Sequence, residues 1–547
     1  MAPASSRGNA SLLFFNGKLL LRGGSTADAA AVHAGRFLAI GSESSVRRRL
    51  ARAGFSPQRG WRQIDLRGRW LIPGLIDAHM HPLFGAVFQE AGLALRDESG
   101  AFLNRPQAVA AVVRAAAAQR RTAAPDAREA AAWLAGYGWN PALARDPQFN
   151  SGLLDAVCPA RPVFLLSLDA HFALVNSAGW RRLQPLKFPA GSGVIPLDAA
   201  GRPRGLLLET PQFVASLKVL AQMRPERVAR AFEAFQQDAL AAGLTAIADV
   251  IADPGVLRQY LRLYRQGRLK LRLFASPYGP MRVYEPMRRL LRQHKADPDR
   301  LGLGPEKYLL DGTPGNHNAA WFQAYADDPA TSGYLTIDPA ELEARVARAH
   351  RARRDLALHA AGDLSVHIAL DAIERGWRAG KPAARIRIEH FDNINAADRR
   401  RLPQLARRGL VASIQPTHFA EVYCRIIRQV IGRERMRREY PLRSLLRAGI
   451  PVALNSDWPA AMTFKPLEVI AAALRHGRER LSPRQALDAY TRASAYALRR
   501  ETSLGELAEG FHADAVLLSG NPLGQSPGRL RVLATMIAGE LQYGEWN

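Results

Sequence analysis

The chain has 547 residues, 48% of them hydrophobic, and carries 75 Lys and Arg against 49 Asp and Glu, a formal net charge of +26. This length exceeds that of one small domain, and the apolar content allows a large core, as in a barrel with insertions. The two cysteines, Cys158 and Cys424, are too few for a disulfide framework or a multi-cysteine zinc site.

The positive charge comes mainly from arginine, which recurs in short clusters within helical patterns rather than in one tract. A basic surface can attract nucleic acid or anionic lipid, but no nucleic-acid recognition motif accompanies it. We therefore interpret the charge as solvated helix faces and expect no nucleic-acid partner. No apolar run is long enough for a membrane span or a signal-peptide core, so we expect a cytoplasmic protein without membrane contact. A homodimer is the general expectation for its assembly.

Short apolar runs separated by glycine predict β hairpins at both ends of the chain. The runs "LLFFNGKLLL" and "AVHAGRFLAIG" lie within residues 11–70, and "ADAVLLSG" and "RVLATMIAGELQYG" lie within residues 501–547. We expect the two ends to form one small β-sandwich, with residues 71–500 inserted between its halves.

Between these ends, apolar runs alternate with helical patterns, which predicts parallel strands joined by helical crossovers. The eight runs are Leu71–Ile76, Leu244–Val250, Leu271–Ser276, Lys307–Leu310, Leu356–His359, Ile386–His390, Val411–Gln415 and Val452–Ser456. Eight such units indicate an α/β fold of the (β/α)₈ TIM-barrel type. The stretch of about 92–240 exceeds an ordinary connection between the first two strands, and we expect an inserted subdomain over the barrel mouth.

Histidine or aspartate stands at or just after the end of nearly every run. These residues are His79, His81, Asp249, Asp311, His359, His390, His418 and Asp457. In a (β/α)₈ barrel the active site is built at the C-terminal ends of the strands. In "WLIPGLIDAHMHP", a strand would place His79 and His81 on one face, as a pair of Zn²⁺ ligands. Taken alone, the pair could equally be two polar residues at a strand end.

Longer motifs resemble those of one enzyme family. Besides "LIPGLIDAHMHP", they include "DAHFALVNSAG", "KYLLDG", "LHAAGD", "RIEH", "SIQPTH" and "NSDWP", in this order along the chain. The set resembles the amidohydrolase superfamily and, within it, the YtcJ-like branch, amidohydrolase family 3. This resemblance implies a metal-dependent hydrolase with one or two divalent ions at the mouth of a barrel, zinc being the first choice.

The resemblance also implies the metal ligands, which are His79, His81, Lys307, His359, His390 and Asp457. Lys307 matches a lysine that related two-metal enzymes carboxylate, because an anionic carbamate can bridge two cations whereas a protonated amine cannot. A surface ammonium or an ion-pair partner is the alternative for Lys307. Asp457 matches the catalytic aspartate, which would bind metal, take the proton of the attacking water and pass it to the leaving amine.

The expected reaction is hydrolysis of a non-peptide carbon–nitrogen bond in a small molecule: an amide, an N-formyl group or a cyclic amide. A metal-activated hydroxide would attack the carbonyl carbon, and a metal, helped by His418 or His171, would stabilise the oxyanion. The alternatives are a barrel with lost or non-hydrolytic activity and a basic nucleic-acid-associated protein. The full set of expected ligands argues against lost activity.

Further residues are candidates for substrate binding. They are His418, Asp311, His171, Asn176, Trp139, His317 and Trp458. An aspartate before glycine, such as Asp311, also serves as an ordinary turn residue. For His171 and Asn176 the alternative is a buried structural hydrogen-bond network, and for the tryptophans it is core packing. The loop "TPGNHNAA" departs from the family pattern, so His317 would alter substrate choice or supply an extra ligand.

Overall fold

The first segment of the chain folds mainly into strands. A computed structural model describes residues 11–55, 60–90, 92–95, 102–123, 132–377, 383–419, 427–461 and 463–546. The first elements are β1 Ser11–Phe15, β2 Lys18–Leu20, β3 Thr26–Ala27, β4 Ala29–His33, β5 Arg36–Gly41, α1 Glu43–Arg52, β6 Trp61–Asp65, β7 Trp70–Pro73, β8 Leu75–Met80 and α2 Pro82–Phe84. Strands β1, β4, β5 and β6 form a four-stranded sheet in the order β5-β4-β1-β6.

A second group of elements forms a separate sheet before the chain reaches its longer parallel strands. They are β9 Leu93–Ala94, α3 Pro106–Ala123, β10 Leu134–Trp139, α4 Ser151–Asp155, β11 Val163–Ser167, β12 Phe172–Val175, α5 Ser177–Leu183, β13 Gly193–Val194, β14 Leu206–Glu209, α6 Thr210–Gln222 and α7 Pro225–Ala241. The strands run in the order β13-β14-β12-β11-β10-β9, and we call this the inserted sheet. One apolar core of this sheet includes Trp139, Phe149 and Leu165.

The remaining elements begin with alternating strands and helices. They are β15 Leu244–Ala252, α8 Pro254–Arg265, β16 Arg272–Pro277, α9 Tyr284–Gln293, β17 Leu301–Leu303, β18 Glu306–Leu309, α10 Pro339–Ala352, β19 Leu356–Ala360, α11 Asp363–Gly376, β20 Ile386–His390, α12 Ala396–Ala406, β21 Leu410–Ile414, α13 Arg433–Met436, α14 Leu442–Arg447, β22 Val452–Leu454, α15 Pro466–Arg475, α16 Pro483–Tyr490, α17 Arg492–Ala497, β23 Ala515–Leu518, β24 Val532–Ile537 and β25 Glu540–Gly544. Asp253, Asp338 and Asn395 begin α8, α10 and α12, because each side chain accepts a hydrogen bond from the first turn.

Two parallel sheets hold the central strands. The first parallel sheet runs β17-β16-β15-β8, and the second runs β18-β19-β20-β21-β22. A parallel bridge between Tyr278, which follows β16, and Lys307 in β18 connects the two sheets on one side. On the other side, the backbone N–H of Asp457 donates to the carbonyl of His79 over 2.8 Å. The carboxyl ends of β8 and of β18–β22 therefore meet in one region.

The predicted run Leu71–Ile76 is two strands rather than one. Trp70–Pro73 pairs with β2 and β23, which places it in a six-stranded sheet with the C-terminal strands, in the order β25-β24-β23-β7-β2-β3. The break falls at Gly74, where a Cβ atom would lie 2.2 Å from Oγ1 of Thr245. The first central strand is therefore Leu75–Met80, and the other seven predicted runs overlap observed strands.

Within the described ranges, no helix combines the length and the apolar character that crossing a membrane requires.

Candidate metal centre

Two histidines from β8 converge on one aspartate. Nε2 of His79 and Nε2 of His81 each lie 3.3 Å from Oδ1 of Asp457, and Nδ1 of His390 lies 3.9 Å from Oδ2 of the same carboxylate. The spacing of two residues does place both imidazoles of the His-X-His motif on the same side of the strand. Asp457 follows β22, so the first and last central strands contribute to one cluster.

The backbone holds this cluster from both sides. Asp457 donates its N–H to the carbonyl of His79 over 2.8 Å, and His81 donates to the carbonyl of Trp458 over 2.7 Å. His390 and Asp457 adopt left-handed backbone conformations, with φ of 70° and 57°. Residues other than glycine seldom occupy this region, and those that do are concentrated at functional sites.

The orientation of His79 depends on a buried carboxylate. Its Nδ1 lies 2.5 Å from Oε2 of Glu389, and neither side chain is more than 1% exposed. Glu389 also accepts a hydrogen bond from Nε of Arg387. Burial raises the pKa of Glu389, but Arg387 and His79 outweigh it and bring that pKa far below the usual range. Since Nδ1 faces an anion, it carries a proton, and the ring is held with its other nitrogen, Nε2, facing Asp457.

A second buried carboxylate fixes the backbone around His79. Asp77 accepts from the N–H of His79 over 3.1 Å, from the N–H of Ser456 over 3.0 Å and from the hydroxyl of Tyr490 over 2.6 Å. Burial raises the pKa of Asp77 to about 6. Asp77 therefore ties β8 to the segment that carries Asp457.

Lys307 and His359 complete the wall beside His390. Lys307 is 2% exposed, and burial lowers the pKa of its amine to about 8, against the opposing effect of Glu389 and Asp457. The ring centroids of His359 and His390 are 4.3 Å apart. Burial, together with Lys307, holds the pKa of His359 well below its ordinary value, so its imidazole is neutral.

The cluster lines a cavity that is partly open to solvent. The lining residues are His79, His81, Asp169, Ala170, His171, Phe213, Ile251, Lys307, Leu309, His359, His390, Asp457 and Ala460. All six residues expected to be metal ligands belong to this set, and so does His171. Of the other substrate-binding candidates, none belongs to it.

His171 reaches the cavity from the inserted sheet. Its Nδ1 lies 2.8 Å from Oε2 of Glu209, whose Oε1 accepts from the amide of Asn318 over 2.6 Å. Burial lowers the pKa of His171, but Glu209 outweighs it and raises that pKa to about 9. Glu209 itself has a left-handed φ of 59° and is fully buried. The inserted sheet therefore presents an imidazolium to the cavity.

Asn176 and Trp139 are structural. The amide of Asn176 accepts from the N–H groups of Val163 and Gly179 and donates to two carbonyls, which is the buried network considered as its alternative. Nε1 of Trp139 donates to the carbonyl of Leu165 over 2.9 Å, and the ring packs in the core of the inserted sheet. Neither side chain lines the cavity among the described residues.

Asp311 and His418 stand beside the cavity wall. The carboxylate of Asp311 accepts from the N–H groups of Ala320, Ala361 and Gly362 and from the hydroxyl of Ser365, so it orders two loops. Nε2 of His418 lies 3.9 Å from Oδ2 of Asp457. Within the described part of the chain, neither residue belongs to the cavity lining.

His317 and Trp458 also have other contacts. Nδ1 of His317 lies 2.7 Å from the guanidinium of Arg145, and Nε2 lies 2.8 Å from Oδ1 of Asp327, so both ring nitrogens are engaged. The ring of Trp458 stacks on Phe235 with centroids 5.1 Å apart, in the core below Asp457. His317 therefore joins its loop to the inserted segment, and Trp458 supports the aspartate.

Sequence reasoning missed the acidic residues that position these groups, which are Asp77, Asp169, Glu209 and Glu389. Asp169 lines the cavity and accepts from the hydroxyl of Ser167 over 2.6 Å. Asp77, Asp169 and Glu389 each sit inside a quoted motif, one or two residues from a histidine, and Glu209 ends β14. Because a ligating histidine needs an acceptor for its second ring nitrogen, an acidic neighbour at a strand end is the signal that was available.

The donor set fits a divalent transition ion. The ligand atoms of His79, His81 and Asp457 all lie within 4.8 Å of one another. Nε2 of His79 is buried and has no hydrogen-bond partner among the described residues, as expected of a nitrogen that faces a cation. Two imidazoles and a carboxylate are the ligands that Zn²⁺ and similar ions prefer.

The chain has sequence relatives that match most of its length. The chain is 28% identical over 506 residues to the protein YtcJ of Bacillus subtilis, covering 88% of this chain and 90% of YtcJ. It is 27% identical over 552 residues to an N-substituted formamide deformylase of Arthrobacter pascens, covering 95% of each.

A solved structure shares the fold. The crystal structure of an uncharacterized metal-dependent hydrolase from Pyrococcus furiosus superimposes with a TM-score of 0.69 at 25% sequence identity, covering 94% of this chain and all of that one. The family model described as "Amidohydrolase family" matches residues 62–543. The chain therefore belongs to the amidohydrolase family, in its YtcJ-like branch, and is a hydrolase.

Proposed function

We propose that this protein is a metal-dependent hydrolase of a non-peptide amide, N-formyl or cyclic amide bond in a small molecule. The observation that carries the proposal is the meeting of His79, His81 and Asp457 in the wall of a cavity that Lys307 and His171 also line. The similarity to a formamide deformylase supports an N-acyl substrate.

We infer that the two parallel sheets close into a (β/α)₈ barrel. The bridge of Tyr278 to Lys307 and the hydrogen bond of Asp457 to His79 support closure, because they connect the two sheets on both sides. The two sheets formed by residues 11–73 and 515–544 support a β-sandwich made by both chain ends. The proposed units are residues 11–70, 71–500 with an insertion of about 92–240, and 501–547.

The metal site is proposed to use the side chains that line the cavity. His79, His81 and Asp457 would hold a divalent ion such as Zn²⁺, and Lys307, His359 and His390 would complete a site for two ions. A bound ion would lower the pKa of a coordinated water and polarise the substrate carbonyl. Buried Lys307 has an amine that loses its proton readily, which favours its carboxylation. A ¹³C carbamate signal after labelling with bicarbonate would test that modification.

Asp457 is the proposed general base. Burial alone would raise the pKa of Asp457, but the electrostatic effect of His79 outweighs it and brings that pKa well below the ordinary value, so the carboxylate stays ionised. It can accept the proton of the attacking water and then deliver it to the leaving nitrogen. Glu389 and Asp77 hold His79, which faces Asp457, in position.

His171 is the proposed stabiliser of the developing oxyanion. It lines the cavity opposite Asp457, and Glu209 keeps it cationic. A fixed, buried imidazolium lowers the energy of negative charge that develops on the carbonyl oxygen.

The test is hydrolysis of a panel of N-formyl amines, simple amides and cyclic amides by Zn²⁺-loaded protein, with Asp457→Asn beside it. We expect turnover of at least one class, and a loss of about 10²–10⁴-fold in kcat in the variant. The control is Asp249→Asn, which changes a buried aspartate that accepts from Tyr260 and does not line the cavity. Activity retained in Asp457→Asn with metal bound would exclude the general-base role. Inactivity of the metal-loaded protein on every class would favour a barrel that has lost its chemistry.

A further inference from the structure

His390 forms a second cluster with Asp392 and His418, two residues that the proposed mechanism does not use. His390, Asp392 and His418 offer ligand atoms that all lie within 4.8 Å of one another. His390 ends β20, Asp392 follows two residues later, and His418 lies in the turn after β21. Of the three, His390 alone lines the cavity, so the cluster extends outward from it.

Asp392 has a buried carboxylate with one oxygen that has no hydrogen-bond partner among the described residues. The residue is 4% exposed, and this oxygen is Oδ1. Glu439 beside it is also 4% exposed, and its Oε1 is equally without a partner there. A backbone bridge from Asn393 to Glu439 brings the two acidic side chains together. Buried anions without partners are unfavourable, and a cation between acceptors of this kind removes the cost.

Asp457 connects this cluster to the inner one. Its Oδ1 lies 3.3 Å from Nε2 of both His79 and His81, whereas its Oδ2 lies 3.9 Å from Nδ1 of His390 and 3.9 Å from Nε2 of His418. The rings of His390 and His418 are parallel within 9°, with centroids 6.2 Å apart. One carboxylate therefore turns an oxygen to each of two sets of imidazoles, which is the arrangement of a bridging ligand.

We propose that His390, Asp392 and His418 bind a divalent transition-metal ion at an outer position, bridged by Asp457 to the ion held by His79 and His81. Two imidazoles and carboxylate oxygens suit Zn²⁺, Mn²⁺ or Fe²⁺. This position shares His390 with the one proposed for Lys307 and His359, and Asp392 and His418 distinguish it from that one. The inference rests on the proposed function only through Asp457, because metal is counted without any substrate.

The test is a count of bound Zn²⁺ after chelator stripping and refilling with Zn²⁺ alone, measured by inductively coupled plasma mass spectrometry. We expect Asp392→Asn and His418→Asn each to bind one equivalent fewer than the wild type, and the double variant to lose no more than either. His81→Asn should lose a different equivalent, so combining it with Asp392→Asn should remove both. The matched control is Asp249→Asn, a buried aspartate outside the cluster, which should keep the wild-type count.

Unchanged zinc content in Asp392→Asn and His418→Asn would overturn the outer position. So would the loss of an equivalent that His81→Asn also removes, because the two positions would then be one. Should either variant fail to fold, Co²⁺ anomalous scattering from wild-type crystals gives the second measurement. A peak between His390 and His418 supports the position, and a peak confined to His79 and His81 contradicts it. If His81→Asn were the only variant to lose zinc, the proposed hydrolase function would stand and the proposed outer ion would not.

Discussion

The chemistry at residue scale depends on acidic side chains that never reach the substrate. Glu389 accepts a hydrogen bond from Nδ1 of His79, Asp77 fixes the neighbouring backbone, and Glu209 holds His171. Each is buried, so its charge acts through a medium that screens it weakly. The ligands and the cationic imidazole are consequently oriented before any substrate arrives.

Removing the charge of Glu389 should weaken metal binding. In Glu389→Gln, Nδ1 of His79 loses an ionised acceptor, and the ring is held less firmly with its Nε2 towards Asp457. We expect zinc affinity to fall by about 10–100-fold, as for other acceptors behind metal-bound histidines. Competition with a chromogenic chelator measures this. Wild-type affinity in a folded variant would show that Glu389 serves only to balance Arg387.

At the scale of elements, Asn176 joins the start of one helix to the start of a strand. Its side chain caps α5 and also supplies the acceptor for the first N–H of β11. We expect Asn176→Ala to lower the free energy of unfolding by about 3 kcal/mol, because several buried backbone groups lose their partners.

The matched control for that variant is Asn150→Ala. Asn150 caps α4 in the same way but is partly solvent-accessible, so water replaces its side chain and the cost should be about 1 kcal/mol. Urea unfolding measures both. Equal losses in the two variants would mean that the extra bonds of Asn176 carry no stability.

The turn after β8 packs directly on the segment that carries Asp457. A Cβ atom on Gly85 would lie 2.0 Å from the ring of Trp458, which Phe235 holds from the other side. We expect Gly85→Ala to cost about 1–3 kcal/mol of stability and to lower kcat, since Trp458 cannot shift without moving its neighbour. Gly528→Ala is the control, because nothing lies within 4 Å of its Cβ position. Unaltered kcat in Gly85→Ala would separate the packing from the site.

The strands, and the residues expected to be ligands that meet at the cavity, could be predicted from the sequence, whereas several supporting residues could not. Runs such as Ile386–His390 are continuous and apolar, and a strand-end histidine stands out against them. Trp139 and Asn176 sit in equally regular motifs, but only the folded chain shows that their partners are Leu165 and Val163. Which face of an inserted sheet meets a cavity depends on long-range packing, and periodicity does not encode it.

The left-handed conformations of His390 and Asp457 were likewise beyond prediction. Both residues belong to motifs that resemble known ligands, yet nothing in "RIEH" or "NSDWP" indicates a positive φ. Glycine or asparagine would have marked such a position, whereas a strained histidine or aspartate persists only because its surroundings fix it.

At the scale of the whole molecule, a buried ion pair joins the central strands to the C-terminal segment. The guanidinium of Arg272 in β16 donates to Asp514 over 2.6 and 2.9 Å, and the two side chains are 2% and 4% exposed. Breaking such a pair leaves an uncompensated buried charge. We expect Asp514→Asn to lower the free energy of unfolding by about 3 kcal/mol at neutral pH.

This difference should depend on pH in one direction. Burial raises the pKa of Asp514, but Arg272 outweighs it and brings that pKa below the ordinary value. A carboxylate with a lowered pKa contributes stability that is fully present above about pH 4 and disappears as the pH falls through the folded-state value. Urea midpoints of the wild type and Asp514→Asn should therefore converge below about pH 4. A gap that widened on acidification would contradict this assignment.

The pairing of Trp70–Pro73 with Ala515–Leu518 has a consequence for synthesis on the ribosome. The N-terminal strand emerges early, but its partner is among the last segments translated, on the order of half a minute later at about 5–20 residues per second. Until then one edge of the nascent sheet offers unpaired backbone groups to other chains. Truncated translation products that end before Ala515 would keep this edge open, which makes them clients for chaperones and seeds for aggregation.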